Sequence, residues 1–505
     1  MNNDKRKKKL VYNSISSLAL QLVTIVCAFI LPKLYMLYYG SSVNGVITSV
    51  SQFIGFISLL DLGLGAVVRS SLYKPLADKD NILVSKIVKS SKKFFNKIAL
   101  VLIIYLVILI FVYPKINDEF SFSYTSSLIA ILATSLLSEY FFGITYRFLL
   151  TADQKLYVIN IIQIGTLILS TLISVILIRQ NFSIQLVKLF SASALLMRPL
   201  LFTLYVNKHY KIDKNVVLTS EPIKQKWNGV ANHVAYFVTN NTDVIVLTTF
   251  TTLSDVSVYA TYNLVVSGVT KIINSMFQGV QSLFGNMLAR NEMKALNKRF
   301  EQFEWGIHTT VTFFFSSTAV LIVPFVKVYT KGIFDANYNV PNFAYLLTLA
   351  IGIFCLRIPY NVMVGAAGHY KQTQLGAILE AVINILLSVF LVYKFGLIGV
   401  AAGTAIAMSF RTVYQAVYLT KNIINYKFKY FIKHILVDAV TVTIVIYISR
   451  FISLDSSNYL EWIIDAIIVS AVSFFTVVIF STIFYKKYTV SLITRIKKKL
   501  RKGDL

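Results

Sequence analysis

Lys271 lies near the middle of an apolar run, with Ser267, Asn274, Ser275, Gln278 and Ser282 around it. At about 100° per residue these side chains form one polar stripe on a helix. A lysine in such a place offers a compact point charge, which suits a phosphate or another anionic headgroup. The structural alternative is an ion pair with Asp243 or Glu380. Four arginines, Arg147, Arg198, Arg357 and Arg411, fall in the inner halves of other apolar runs. Each either lines the inner mouth of a polar chamber and binds the same headgroup, or snorkels to the interface. Glu139, Asp243 and Glu380 are acids at membrane depth, suited to take up a proton or hold sodium; pairing with a nearby arginine explains Glu139 equally well.

Two more stripes accompany these charges. Asn228, Asn232, Tyr236, Thr239 and Asp243 cluster within roughly 80° of helix surface. Asn13, Ser16, Ser17 and Thr24 do the same, with Gln21 at the edge. A charge at the bilayer centre costs about 2.5–3.5 kcal/mol on insertion scales, so such residues must face helices or water. Polar stripes on helices that start each half of the chain predict a hydrated central cavity. Hydrogen bonding between helices is the alternative.

Catalytic patterns are missing. There is no glycine loop followed by Lys-Ser/Thr, no nucleophile elbow and no pair of acids on a loop. Asp61-Leu62-Gly63-Leu64-Gly65 follows no strand and is not a dinucleotide fingerprint. The five histidines are scattered and no metal-ligand spacing occurs. No enzyme activity, metal or cofactor is expected, apart from coupling to H+ or Na+. Cys27 and Cys355 fall inside apolar runs and read as inert buried thiols.

The elements that would position these groups are transmembrane helices. Of 505 residues, 56% are hydrophobic and 14% charged, against about 25% charged in soluble domains. Apolar runs of about 20 residues recur, the length that crosses a hydrocarbon core as a helix. The predicted spans are approximately 10–31, 43–67, 97–114, 121–146, 156–178, 184–205, 226–250, 255–284, 306–329, 342–366, 373–393, 397–419, 431–451 and 460–484. In lipid such runs satisfy their backbone only as helices. The fold class is therefore all-α integral membrane, with fourteen transmembrane helices. The first run is too long for a signal peptide and has no small-residue cleavage site.

The net charge of +27 reflects topology. With both termini inside, the tails and inner loops hold roughly 38 of the 49 basic residues. These charges meet anionic membrane lipid; the apolar content excludes nucleic acid as the partner. All the longer connections are on the inner side, so the outer loops supply little for chemistry.

An internal repeat of about 213–216 residues divides the chain. Arg198, Tyr205 and Lys208 match Arg411, Tyr418 and Lys421 in spacing. Ala152-Asp153-Gln154-Lys155 lies opposite Gly368-His369-Tyr370-Lys371, and Asn13 and Thr24 lie opposite Asn228 and Thr239. The expected organisation is a basic N-terminus (1–9), an N-lobe of helices 1–6 (10–208), a linker (209–225) and a C-lobe of helices 7–12 (226–421). Helices 13–14 (422–484) and a basic tail (485–505) follow. These are two pseudo-symmetric six-helix lobes plus two C-terminal helices. Lobes of one topology are related by an axis along the membrane normal, with substrate between them.

Two segments carry a family resemblance. Residues 61–80, Asp-Leu-Gly-Leu-Gly-Ala-Val-Val-Arg-Ser-Ser-Leu-Tyr-Lys-Pro-Leu-Ala-Asp-Lys-Asp, and residues 146–155, Tyr-Arg-Phe-Leu-Leu-Thr-Ala-Asp-Gln-Lys, are the two. They resemble segments that end the second and fourth helices of Wzx-type polysaccharide flippases, in the multidrug/oligosaccharidyl-lipid/polysaccharide exporter superfamily. The resemblance in layout covers the whole chain; the motifs cover about 30 residues. It implies movement of an undecaprenyl-pyrophosphate-linked oligosaccharide from inner to outer leaflet by alternating access. That would serve capsule, O-antigen or related surface polysaccharide synthesis at a bacterial cell membrane, with polysaccharide assembly proteins as partners. Asp61, Arg69 and Asp153 then read as parts of a cytoplasmic gate, or as groups that cap and position helices. The rival readings are a multidrug or small-molecule antiporter of the same superfamily, and a membrane glycan polymerase or ligase.

Overall fold

A computed structural model describes residues 3–56, 64–213, 215–218, 241–277, 280–452, 454–491 and 494. Its regular elements are helical throughout. Eleven helices among the described residues are long and apolar enough to cross a membrane. The chain is a multi-pass membrane protein, and it divides into two compact units. Unit 1 comprises Met1–Phe237 and Leu247–Ser257; unit 2 comprises Val238–Val246 and Val258–Leu505.

In unit 1 the helices are α1 (Asn3–Tyr39), α2 (Ser41–Gly55), α3 (Leu64–Asp78), α4 (Asn81–Ile116), α5 (Phe122–Ser138), α6 (Ile144–Ala152), α7 (Leu156–Arg179) and α8 (Ile184–His209). Val11, Ile15, Leu18, Leu22 and Val26 are all exposed on α1. Their spacing of three and four residues gives one apolar face of the helix. The core of the unit gathers Val46, Phe95, Leu102, Leu128, Leu149 and Val206, all buried. A π-helical turn, Glu139–Gly143, joins α5 to α6. The predicted span 121–146 is thus one helix with a bulge in it, the kind of irregularity that proteins keep at functional sites.

Helical residues 241–250 (α9) lead into α10 (Leu253–Met276), α11 (Val280–Ala289), α12 (Met293–Tyr329), α13 (Pro341–Leu356) and α14 (Ile358–Ala366). They are followed by α15 (Gln374–Asn422), α16 (Phe428–Ser449) and α17 (Tyr459–Phe484). The long α15 is two arms joined at Gly396, whose φ is +52°. α13 gives way to α14 at Arg357 because Pro359 has no N–H for the carbonyl of Cys355. Phe284, Phe300, Tyr360 and Leu419 form one buried cluster of unit 2, and Ile307, Phe315 and Cys355 another. Both cysteines are free and buried.

Helix ends recur along the chain. Lys79 and Asn291, Gln154 and Gly368, and Asn181 and Gly396 all have left-handed φ, between +52° and +71°. At the first two pairs the following N–H closes back on the carbonyl five residues before it. Asp80 bonds Pro75 at 2.9 Å and Glu292 bonds Met287 at 3.0 Å; Lys155 bonds Leu150 at 2.8 Å and His369 bonds Val364 at 3.1 Å. This is the Schellman termination, which needs a left-handed residue. The intervals (79 to 291, 154 to 368, 181 to 396) differ by no more than three residues and lie within one residue of the sequence repeat.

Candidate functional site

The kink at Arg357 places its head beside the first arm of α15. Its Nη1 donates to Glu380 Oε1 at 2.5 Å. Arg411, on the second arm, brings Nε to 3.8 Å from the other oxygen of Glu380 and donates from Nη1 to the carbonyl of Thr373 at 2.8 Å. Arg357, Glu380 and Arg411 are 4%, 6% and 7% exposed, so these heads do not snorkel. Gly376 makes room, since a Cβ there would lie 2.3 Å from Arg411 Nη1. Two guanidinium groups share one carboxylate, and Arg357 Nε has no hydrogen-bond partner among the described residues. The cluster therefore holds one buried positive charge in excess, a costly state unless another anion completes it.

Unit 1 holds a related group. Glu139, on the π turn, pairs with Arg147. Arg198 donates from Nε to Thr166 Oγ1 at 2.8 Å and lies within electrostatic reach of both Glu139 and Arg147. All three charged side chains are half-buried. Gly143 permits the approach of α8, because its Cβ position is only 3.2 Å from Pro199 Cβ.

Asp243 is buried on α9 and takes neutral partners. Thr404 donates to its Oδ1 at 2.7 Å and Tyr259 to its Oδ2 at 3.0 Å. Asn384 Nδ2 donates to Thr404 Oγ1 at 2.9 Å. Asn384 Oδ1, also buried, has no hydrogen-bond partner among the described residues. Gly399 and Gly403 bring the two arms of α15 together here: a Cβ on Gly403 would lie 2.8 Å from Ser388 N. One carboxylate, an orphaned amide oxygen and two hydroxyls form a set of hard oxygens, and hard oxygens suit alkali-type cations. The same carboxylate can instead take a proton.

The remaining residues singled out in the sequence are placed as follows. Lys271 is exposed on α10, and the two acids offered as its partners are engaged elsewhere, Asp243 with Thr404 and Glu380 with Arg357. Asn274 is exposed near it. Asn13 is half-buried and pins α7, accepting from Tyr157 N at 2.9 Å and donating to Gln154 O at 3.1 Å. Asn160 Nδ2 donates to Ser16 and Ser17, each at 3.0 Å. Gln21 is half-buried, and Thr24 bonds its own helix at Leu20 O. The stripe on α1 is thus used in hydrogen bonds to α7 at its first turns. Arg69 stacks over Phe148, 5.6 Å from the ring centroid. Asp153 caps α6, accepting from Tyr210 at 2.6 Å with Lys155 at 3.0 Å and Lys9 at 3.5 Å. Burial alone would raise its carboxyl, but Tyr210, Lys155 and Lys9 outweigh that and hold it below the usual range. Asp61, Asn228, Asn232, Tyr236, Thr239 and Gln278 lie outside the described residues.

One buried network was not anticipated. Glu304, fully buried on α12, accepts from Tyr360 at 2.6 Å and from Tyr426. His308, one turn further, bonds Asp438 at 2.5 Å and stacks on His434 at 4.7 Å. The histidines are 126 positions apart, so no local spacing links them. The legible signal was the i, i+4 acid–histidine pairs Glu304/His308 and His434/Asp438.

With this geometry established, the fold can be set beside known structures. No family model matches the chain, and no curated protein matches it. Solved structures do. A lipid II flippase, MurJ, in an inward closed conformation, superposes with a TM-score of 0.66 at 17% identity, covering 94% of this chain and 99% of MurJ. An inward-facing multidrug resistance MATE family transporter of the MOP superfamily gives 0.61 at 13% identity, covering 80% and 97%. The eukaryotic MATE transporter AtDTX14 gives 0.56 at 14%, covering 87% and 99%. At these identities the likeness defines the fold alone, which this chain shares with the flippase and the transporters.

Proposed function

We propose that this protein is a flippase for a lipid-linked oligosaccharide, carried on undecaprenyl pyrophosphate, moving it from inner to outer leaflet of a bacterial cell membrane. The supporting observation is coverage. The lipid II flippase accounts for 94% of the chain, whereas the two MATE transporters account for 80% and 87%. In this reading fourteen helices form two six-helix lobes, with α16 and α17 added and both termini cytoplasmic. The lobes open by turns to either side. Lys271, Arg147 and Arg198 meet the pyrophosphate, and Arg357 and Arg411 join them when the anion displaces Glu380. Capsule, O-antigen and related polymers are all products consistent with the class.

Asp243 supplies the coupling site for a proton or sodium ion, and no other cofactor is needed. It bonds Thr404, which bonds Asn384; Asn384 is one helical turn from Glu380 on the same arm. Cation loading near Asp243 would thereby bias how the arms hold Glu380 and Arg411. The antiporter reading draws support from the same cation site and the MATE-like fold. The two separate in a deletion strain. Accumulated lipid-linked oligosaccharide, with drug susceptibility unchanged, is the flippase outcome. Altered drug susceptibility without that intermediate would replace it with the antiporter.

A further inference from the structure

Unit 2 contains a second basic site, apart from the arginine clusters and Asp243. A cavity of 370 Å³ opens where α16 begins and α17 ends, lined by Lys433, Lys486, Lys487, His434, Tyr485 and Glu301 among others. That volume falls within the range of small-ligand sites. Three ammonium groups face one carboxylate, and Glu301 is already engaged by the Tyr488 hydroxyl at 2.7 Å. Lys433 donates to Phe484 O at 2.9 Å and lies 4.7 Å from the Tyr485 ring, which fixes its head at the cavity wall with donors to spare.

Two polar groups of the wall are buried and lack partners. The Tyr485 hydroxyl and His434 Nδ1 have no hydrogen bond among the described residues. His434 is 5% exposed, and its ring is stacked between His308 and Tyr485 at 4.7 Å on each side. Burial holds the Tyr485 phenol above its ordinary range, so it remains a donor at neutral pH. A buried donor left unpaired, here the Tyr485 hydroxyl, is costly, and a ligand with an acceptor oxygen removes the cost. One apolar side chain of the lining, Phe484, is exposed at 44%.

We propose that this cavity binds a phosphate ester, with the lysines neutralising the phosphate oxygens and the Tyr485 hydroxyl donating to one of them. The same chemistry is offered by the phosphodiester headgroup of an anionic lipid and by free phosphate. The exposed Phe484 ring beside the lysines favours the lipid, and the orientation proposed above places this end at the inner leaflet.

The test uses the full chain, delipidated in detergent, with lipid adducts read by native mass spectrometry. Phosphatidylglycerol is expected to bind in preference to phosphatidylcholine. Lys486→Gln with Lys487→Gln, which leaves the Lys433 contact intact, is expected to weaken phosphatidylglycerol at least about tenfold. Tyr485→Phe should weaken it severalfold while leaving the stacked rings in place. Lys74→Gln with Lys79→Gln removes equal charge from exposed positions of unit 1 and should weaken it far less. Inorganic phosphate that competes with the lipid only when Lys486 and Lys487 are present would show that free phosphate shares the site. Equal loss in both lysine pairs, or binding indifferent to Tyr485 and to headgroup charge, would overturn the proposal.

Discussion

Arg357 and Glu380 meet at 2.5 Å in a buried setting, and the pair is not self-sufficient because Arg411 reaches the same carboxylate at 3.8 Å. Removing one partner of a buried ion pair leaves the other uncompensated, at about 3–5 kcal/mol. Glu380→Gln, which strands two guanidinium groups, should lower the melting temperature more than Arg357→Met combined with Glu380→Met. Export, measured as surface glycan, should fail in both variants, because the double variant restores packing without restoring charge. Equal melting temperatures for the two would show that the cluster adds nothing as an ensemble of charges.

Asp243 is expected to respond to cations. A ligand bound only by the folded state at one hundred times its dissociation constant adds about 2.7 kcal/mol of stability. Sodium chloride should raise the melting temperature relative to choline chloride, or acid should do so in its place. Asp243→Asn and Thr404→Val should each abolish the response. A wild-type protein indifferent to both ions would assign Asp243 a purely structural role.

Gly403→Ala tests the closeness of the α15 arms. The added methyl would lie 2.7 Å from Ser388 Oγ and 2.8 Å from Ser388 N, so backbone must move. Overpacking of this kind costs about 1–3 kcal/mol. Because Thr404 is the next residue, the cation response should weaken along with stability. Gly165→Ala, inside α7 where a Cβ meets nothing within 4 Å, is the matched control and should leave the melting temperature unchanged or raise it.

Asp153 should make the unit acid-sensitive in a defined window. Its carboxyl is held below the ordinary value by Tyr210, Lys155 and Lys9, which outweigh burial. A depressed carboxyl stabilises the folded state fully above its unfolded value of about 3.9, and that stabilisation is lost as pH falls through the folded value. Asp153→Asn should therefore flatten the low-pH limb of the stability profile, read by melting temperature between about pH 5 and pH 3. A parallel profile in the variant would locate the acid sensitivity in other carboxylates.

Much of the architecture was legible because lipid simplifies the rules. Apolar runs about 20 residues long must be helices, and the described helices follow them. The helix breaks were less visible. Pro359 announces the kink at Arg357, but nothing in 121–146 marks a π turn at Glu139, whose last residue, Gly143, packs against Pro199 of α8. At the site, the sequence left Glu139 open between ion coupling and pairing with an arginine, and it pairs with Arg147. Lys271 was offered an ion pair that tertiary packing gives to others. The Glu304–His308–His434 network arises from contacts more than a hundred positions apart, which spacing alone does not reveal.

The single left-handed residue at Gly396 joins the arms of α15 with almost no slack. Counting from it, Asn384 and Thr404 come first, at about 18 Å and 12 Å along their arms, and Glu380 and Arg411 follow at about 24 Å and 22 Å. The hairpin works as tweezers with a fixed pivot. Neither blade can slip lengthwise past the other, so whatever pinches the blades near the hinge also sets the grip at the tips.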